Sequence, residues 1–354
     1  MLLLLACTLP SASRVEPSFL EVRLAEGTAT GSEEAPLPFT SAGVDVTVSV
    51  QALNAKGAPY AFNGQLSLKV RPGLLDQAPD VTVTDGHWEG SVRIKNAFGP
   101  SRIWLLDEGD RDTTSGRPPS YAVGVTDTLW FALPTLREMQ TVSDTETNNL
   151  DREFAEIRTL DRNVAIVTRD AAGFWATDLD DPPGSYNSIY VYTFGRPEDD
   201  MVPGARITLL TGNNQEYLAT TQLSFPNIGI DPGISLTLPD AFELNSTVGC
   251  SPDTIESLES SKVRIPEAVI PADFINDSEL GDKYTEYGEW PVQYGDCTVY
   301  VISSTTAPDF NPVTYSGTTL TSITGMLKEI YGDPVLVITD PADIVPGPAG
   351  PTHR

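Results

Sequence analysis

A chain of 354 residues with 40% hydrophobic side chains carries enough apolar material for two or three cores. Its 49 acidic residues against 22 basic ones give a net charge of −27, which repels phosphate backbones and argues against nucleic-acid partners. With only His87 and His353 available, a zinc centre and a serine–histidine–acid catalytic set are both short of ligands or bases.

The N-terminus is Met1-Leu2-Leu3-Leu4-Leu5-Ala6-Cys7, followed by the small, polar stretch Ser11-Ala12-Ser13. Leu4-Leu5-Ala6-Cys7 resembles a bacterial lipobox, a small residue before a cysteine at the end of an apolar run. That resemblance implies lipidation at Cys7, with residues 1–16 as signal and tether. It also implies an exported protein, lipid-anchored in the bacterial envelope at the outer membrane or cell surface. An ordinary apolar N-terminus is the competing reading, because no basic residue precedes the leucines. No other stretch approaches the roughly 18 apolar residues of a spanning helix, so membrane attachment is expected through the lipid only.

Residues 17–134 read as β-structure throughout. Val44-Asp45-Val46-Thr47-Val48-Ser49-Val50 and Leu66-Ser67-Leu68-Lys69-Val70 alternate with period two. Asp85-Gly86 is a turn signal feeding Ser91-Val92-Arg93-Ile94, and Ile103-Trp104-Leu105-Leu106, Tyr121–Val125 and Leu129-Trp130-Phe131 follow. About seven short strands predict a β-sandwich. The Thr84-Asp85-Gly86 turn and the later Gly99 make the segment similar to bacterial Ig-like domains of the invasin type, which implies a role as spacer.

Residues 135–150 are polar and read as a linker. Strands are then expected at 163–168, 173–177, 188–194 and 205–212, with Gln222–Pro226 completing a unit at 150–240. The pattern recurs at 241–345. Thr298-Val299-Tyr300-Val301-Ile302-Ser303 echoes Ile189–Phe194, and Leu320–Gly325 echoes Ile207–Gly212. After each glycine comes a short polar segment with a tyrosine, Tyr217 or Tyr331. The strand order and its repetition resemble tandem OB-folds, five-stranded Greek-key barrels. The run from Gly325 to Ile344 is similar to OB domains found beside secreted bacterial nucleases. The fold class expected is therefore all-β, an Ig-like β-sandwich followed by two OB-like β-barrels, with 346–354 a disordered tail.

Of the three cysteines, Cys250 and Cys297 remain after Cys7. An even remainder outside the cytosol predicts a disulfide, against the alternative of two buried thiols. The run Asp107-Glu108-Gly109-Asp110-Arg111-Asp112 sets Asp107, Glu108, Asp110 and Asp112 together as a candidate calcium loop. Asp178-Leu179-Asp180-Asp181 and Glu198-Asp199-Asp200 are weaker clusters, and solvated loop charge is the competing reading for all three. Tyr190, Tyr192 and Phe194 share one side of a strand, as a stacking platform or as barrel core. Tyr287 and Trp290 form a second aromatic group in a Gly/Glu-rich stretch expected to be a surface loop.

No nucleophile elbow, phosphate loop, dinucleotide fingerprint or His-Glu-x-x-His occurs. The expectation is a non-enzymatic envelope lipoprotein. Its sandwich would act as spacer, and its barrels would present a platform to an envelope protein or a neutral glycan. The alternative is an accessory or degenerate component of a secreted, nuclease-related hydrolase system. That role needs convergent acids in a cleft, whereas a binding module needs an exposed aromatic or apolar patch.

Overall fold

Alternation of inward apolar and outward polar residues builds the first part of the chain. In the computed structural model, residues 19–77, 81–106, 122–144, 147–148, 150 and 153–347 are described, and the chain divides into two compact units between Leu133 and Pro134. The first unit contains β1 (Phe19–Leu24), β2 (Val44–Leu53), β3 (Gly64–Arg71), β4 (Leu74–Leu75) and β5 (Val81–Val83). It continues with β6 (His87–Lys95), β7 (Gly99–Leu106), β8 (Val123–Val125) and β9 (Leu129–Phe131). One sheet runs β1-β2-β6-β4 and the other β5-β3-β7-β8, with β9 also on β7. Val46, Val48 and Val50 from the first sheet meet Leu68, Val70, Ile103 and Leu105 from the second in one core. Each such side chain contributes about 1.5–3 kcal/mol on burial.

The turn between β5 and β6 shows why Asp85-Gly86 was a signal. Thr84 and His87 exchange backbone hydrogen bonds at 3.1 and 3.0 Å, and both central residues have positive φ, 50° and 81°. That is the geometry of a two-residue primed hairpin. A Cβ on Gly86 would stand 2.0 Å from the Tyr60 carbonyl oxygen, so only glycine fits.

The second unit begins with a helix where a linker was expected. α1 (Leu136–Gln140) is opened by a capping box, Thr135 accepting from the Glu138 N–H while Glu138 accepts from the Thr135 N–H. Leu136 and Met139 are buried, and Gln140 Nε2 donates to the Ser188 carbonyl at 2.7 Å. A short pair follows, β10 (Val142–Asp144) and β11 (Thr147–Asn148).

Next come β12 (Phe154–Glu156), β13 (Val164–Arg169), β14 (Gly173–Asp178), β15 (Ser188–Tyr192), β16 (Ala205–Tyr217) and β17 (Thr220–Ser235). β13-β14-β15-β17-β16 close on themselves through Ala165 opposite Arg206. β15 and β17 run parallel, and the other neighbours in the ring are antiparallel. This is a closed five-strand barrel, and β12 extends it beside β16. β17 continues to Ser235, well past the end expected at Pro226, because it stays paired with β16 from Tyr217 back to Ala205.

The remaining elements are β18 (Phe242–Glu243), α2 (Pro252–Ser257), β19 (Lys262–Pro266), α3 (Leu280–Tyr287), β20 (Trp290–Tyr294), β21 (Cys297–Ile302), β22 (Ser322–Ile330), β23 (Asp333–Val337) and β24 (Ile344–Val345). Pairing runs β19-β22-β23-β21-β20, with β21 parallel to β23, and Val269 bridges back to Gln293 on β20. The order is that of the first barrel. β15 and β21 are the third strands, and β16 and β22 the fourth. The two echoing glycines occupy matching places against the fifth strand. A Cβ at Gly212 would lie 3.0 Å from Ser224 O, and one at Gly325 would lie 2.7 Å from Val337 O.

The hairpin between β16 and β17 turns through Leu218 and Ala219 at φ 57° and 68°, a conformation that suits Asn-Gly and disfavours L side chains. Ala219→Gly is expected to stabilise the second unit by about 0.5–1 kcal/mol, after allowance for the freer unfolded chain. A rise in its urea midpoint checks this, and an unchanged or lower midpoint counts against strain at the turn.

Candidate binding site

On β14 and β15 the chain alternates between two environments. Phe174, Ala176, Ile189 and Val191 are fully buried, while Trp175 and Tyr190 form a separate cluster with Met326 of β22. The Tyr190 ring lies 4.8 Å from that of Trp175. Its hydroxyl donates to Asp170, 3.1 Å from Oδ1 and 3.2 Å from Oδ2, and Asp170 Oδ1 also accepts the Ala172 and Gly173 N–H groups. The Lys328 ammonium sits 3.5 Å over the Tyr190 ring, a cation–π contact inside the fold. Burial, and the carboxylate of Asp170 after it, push the Tyr190 phenol far above its usual range. Tyr190, at 4% exposure, therefore offers no face to a ligand.

The same strand then emerges. Tyr192 is half-buried, and Phe194 just beyond it is 54% exposed. The Thr193 hydroxyl donates to Ala172 O and Gly195 O at 3.0 and 2.6 Å, fixing the strand end. β17 runs beside it with Ser224 opposite Tyr192, so the next residue, Phe225, reaches the same edge at 68% exposure. Tyr192 and Phe194 have ring centroids 4.6 Å apart at 52°, and Phe194 and Phe225 4.6 Å apart at 45°. Phe194 and Phe225 both hold positive φ, 62° and 51°. For bulky residues that conformation is an outlier that costs on the order of 1–3 kcal/mol and collects at functional positions. The loop after Phe194 carries the exposed Glu198, Asp199 and Asp200.

The other sequence candidates fall elsewhere. Trp290, expected in a surface loop, is 1% exposed in the second barrel core, with its Nε1 donating to Ser303 Oγ at 3.0 Å. The stretch around it is α3 and β20 because Tyr284 packs edge-on against Phe274 and Trp290 against Phe310. Tyr287 is exposed on the last turn of α3. Asp178, Asp180 and Asp181 converge on Arg162, an ion-pair knot. Cys250 and Cys297 form a disulfide. Cys7 and the Asp107, Glu108, Asp110 and Asp112 loop lie outside the described residues. Among the described residues no group of three or more His, Cys, Asp or Glu could hold a metal ion, and no helix is long and apolar enough to cross a membrane.

Sequence reasoning missed Phe225, which joins Phe194 only through the parallel pairing that sets Tyr192 opposite Ser224. No known protein family matches the chain, and no curated protein is similar to it.

Proposed function

We propose that this chain is a binding module, and that the Tyr192–Phe194–Phe225 rim takes a neutral carbohydrate. The observation that carries the reading is the pair of exposed phenylalanines held in a strained backbone conformation, in tilted ring contact with each other and with Tyr192. Aromatic faces suit the apolar faces of sugar rings, and adjacent backbone and carboxylate acceptors suit their hydroxyls. The barrel order, with the third strand parallel to the fifth, supports an OB-like assignment for both β-units, and such barrels bind oligosaccharides or oligonucleotides. The net charge of −27 favours the neutral ligand of those two.

In this reading the first unit is an Ig-like spacer. The Cys7 lipid tethers the chain to the bacterial envelope. A panel of neutral oligosaccharides titrated against the full chain by calorimetry tests the reading. At least one should bind, and Phe194→Ala with Phe225→Ala should weaken it tenfold or more, about 1.4 kcal/mol, without lowering stability. Binding that survives the double substitution, or no binding by the wild type, would overturn it.

A further inference from the structure

The two barrels of the second unit meet across buried charge. The β22–β23 hairpin turns through Tyr331 and Gly332, and the Tyr331 N–H donates to Leu218 O of the β16–β17 hairpin at 2.8 Å. The Thr220 hydroxyl donates to the Glu329 carbonyl. Between these tips lies Glu259, 3% exposed, on the segment that leaves α2. That segment is locked to β22 by Ser260 N–H to Leu327 O at 2.7 Å and Leu327 N–H to Ser261 O at 2.9 Å. Both Glu259 carboxyl oxygens lie within reach of the Thr221 N–H, at 3.0 and 3.2 Å, and the Thr221 hydroxyl bonds Glu216 Oε1 at 2.5 Å.

The charged groups around Glu259 come from three elements: Glu216 on β16, Glu256 on α2, and Lys328 with Glu329 on β22. β17 brings only Thr220 and Thr221. One step further out, Asp170 and Tyr190 face Lys328, Asp253 and Tyr186 lie by Glu256, and Asp333, paired with Lys283, lies by Glu329.

We propose that this seam is a proton-operated clasp: with Glu259 and its neighbours protonated the two hairpins stay locked together, and ionisation of the cluster, four carboxylates against one lysine, drives the seam open. Burial pushes Glu259 well above the usual carboxylate range, and repulsion from Glu256 and Glu216 adds to it. Burial lifts Glu256 to about 7, helped by Glu329 and Glu216. Burial also raises Glu329, with Glu216 and Asp333 contributing.

A carboxyl whose folded pKa is raised binds more protons in the closed form. Its contribution is therefore complete below the ordinary carboxylate value of about 4.3 and is lost as pH climbs through the raised value. Lys328 acts in the opposite sense. Burial lowers it to about 8, so its desolvation penalty is full below that pH and fades above it. Opening therefore starts in the neutral range set by Glu256 and is partly restrained in the alkaline range.

Hydrogen exchange on the full chain at about pH 6 and about pH 8.5, corrected for intrinsic exchange, tests the clasp. Protection over residues 216–221 and 327–331 should fall tenfold or more at the higher pH, while β2 and β20 keep theirs. Glu259→Gln, which retains an acceptor for the Thr221 N–H and leaves one fewer carboxylate to ionise, should keep more of its protection at the higher pH than the wild type. Equal protection in the wild type at both pH values, or a Glu259→Gln protein as pH-sensitive as the wild type, would overturn the proposal. Should that variant not fold, Glu256→Gln and Glu329→Gln must each move the opening to higher pH, and an unmoved midpoint overturns it equally.

Discussion

Replacing Cys250 and Cys297 together by alanine is expected to cost the second unit about 4 kcal/mol. The disulfide spans a sequence separation of 47, and closing a loop of that length removes roughly that much chain entropy from the unfolded state. The loop it closes contains α2, β19, α3 and β20, so the cross-link restrains the first two of the five strands paired as β19-β22-β23-β21-β20 and anchors the start of the third, β21. In the folded state Cys297 opens β21 at 6% exposure, and both cysteines pack against the barrel core. The segment before α2 has few other ties there, among them the Tyr294 hydroxyl donating to Gly249 O at 3.1 Å.

Denaturant unfolding should show the double variant and the reduced wild type at the same lowered midpoint. The transition of the first unit, which holds its own core, should stay in place. A midpoint unchanged by both treatments would mean that the bond adds nothing to stability.

Legibility of this chain follows how its strands are buried. β2 alternates cleanly because one of its faces is core and the other is wet, and the period of two is written in its residues. β14 is buried at all six positions, one face toward its own barrel and the other toward β22, so no alternation separates Phe174 from Trp175. The same loss of contrast let Tyr190 be read either as core or as platform, and its covering partner, Met326, lies more than 100 residues away. The repeat was readable because third and fourth strands recur with their glycines, and backbone packing against the fifth strand demands those glycines. α1 was also written in the chain, as Thr135-x-x-Glu138 with Leu136 and Met139 on one face, but the polar residues around it masked the signal. Tyr192 and Phe194 of the rim were visible on one strand, but nothing local announces Phe225 or the glutamate seam. Phe225 meets Phe194, and Glu259 meets Glu216 and Glu329, only when segments far apart in sequence come together.

Arg162→Ala is expected to destabilise the second unit by about 3–5 kcal/mol at neutral pH, because it strands a buried carboxylate. Arg162 Nε donates to Asp178 Oδ2 at 2.7 Å, and its terminal nitrogen donates to Asp181 Oδ2 at 2.7 Å. The Asp178 side chain is wholly sequestered, at 0% exposure, and that of Arg162 is 19% exposed, so water screens the pair little. Asp180 lies further from the guanidinium, at 3.9 Å, and is also held by the Asn163 N–H and side-chain amide at 2.8 Å each, so it keeps partners when the arginine is lost. Burial already pushes Asp178 above the usual carboxylate range against the pull of Arg162.

Without the arginine the folded-state pKa of Asp178 rises further from its unfolded value, and the native variant binds more protons than the unfolded chain between the two. Stability of the variant must then fall as pH rises through that interval. The deficit should be small near the unfolded value of about 3.9 and complete at neutrality. Asp178→Asn in the same background should recover part of it, since the amide leaves no charge to strand. Urea titrations of the single and double variants at acid and neutral pH decide the point. A deficit that is the same at both pH values, or that Asp178→Asn does not relieve, would place the role of Arg162 in packing and not in charge.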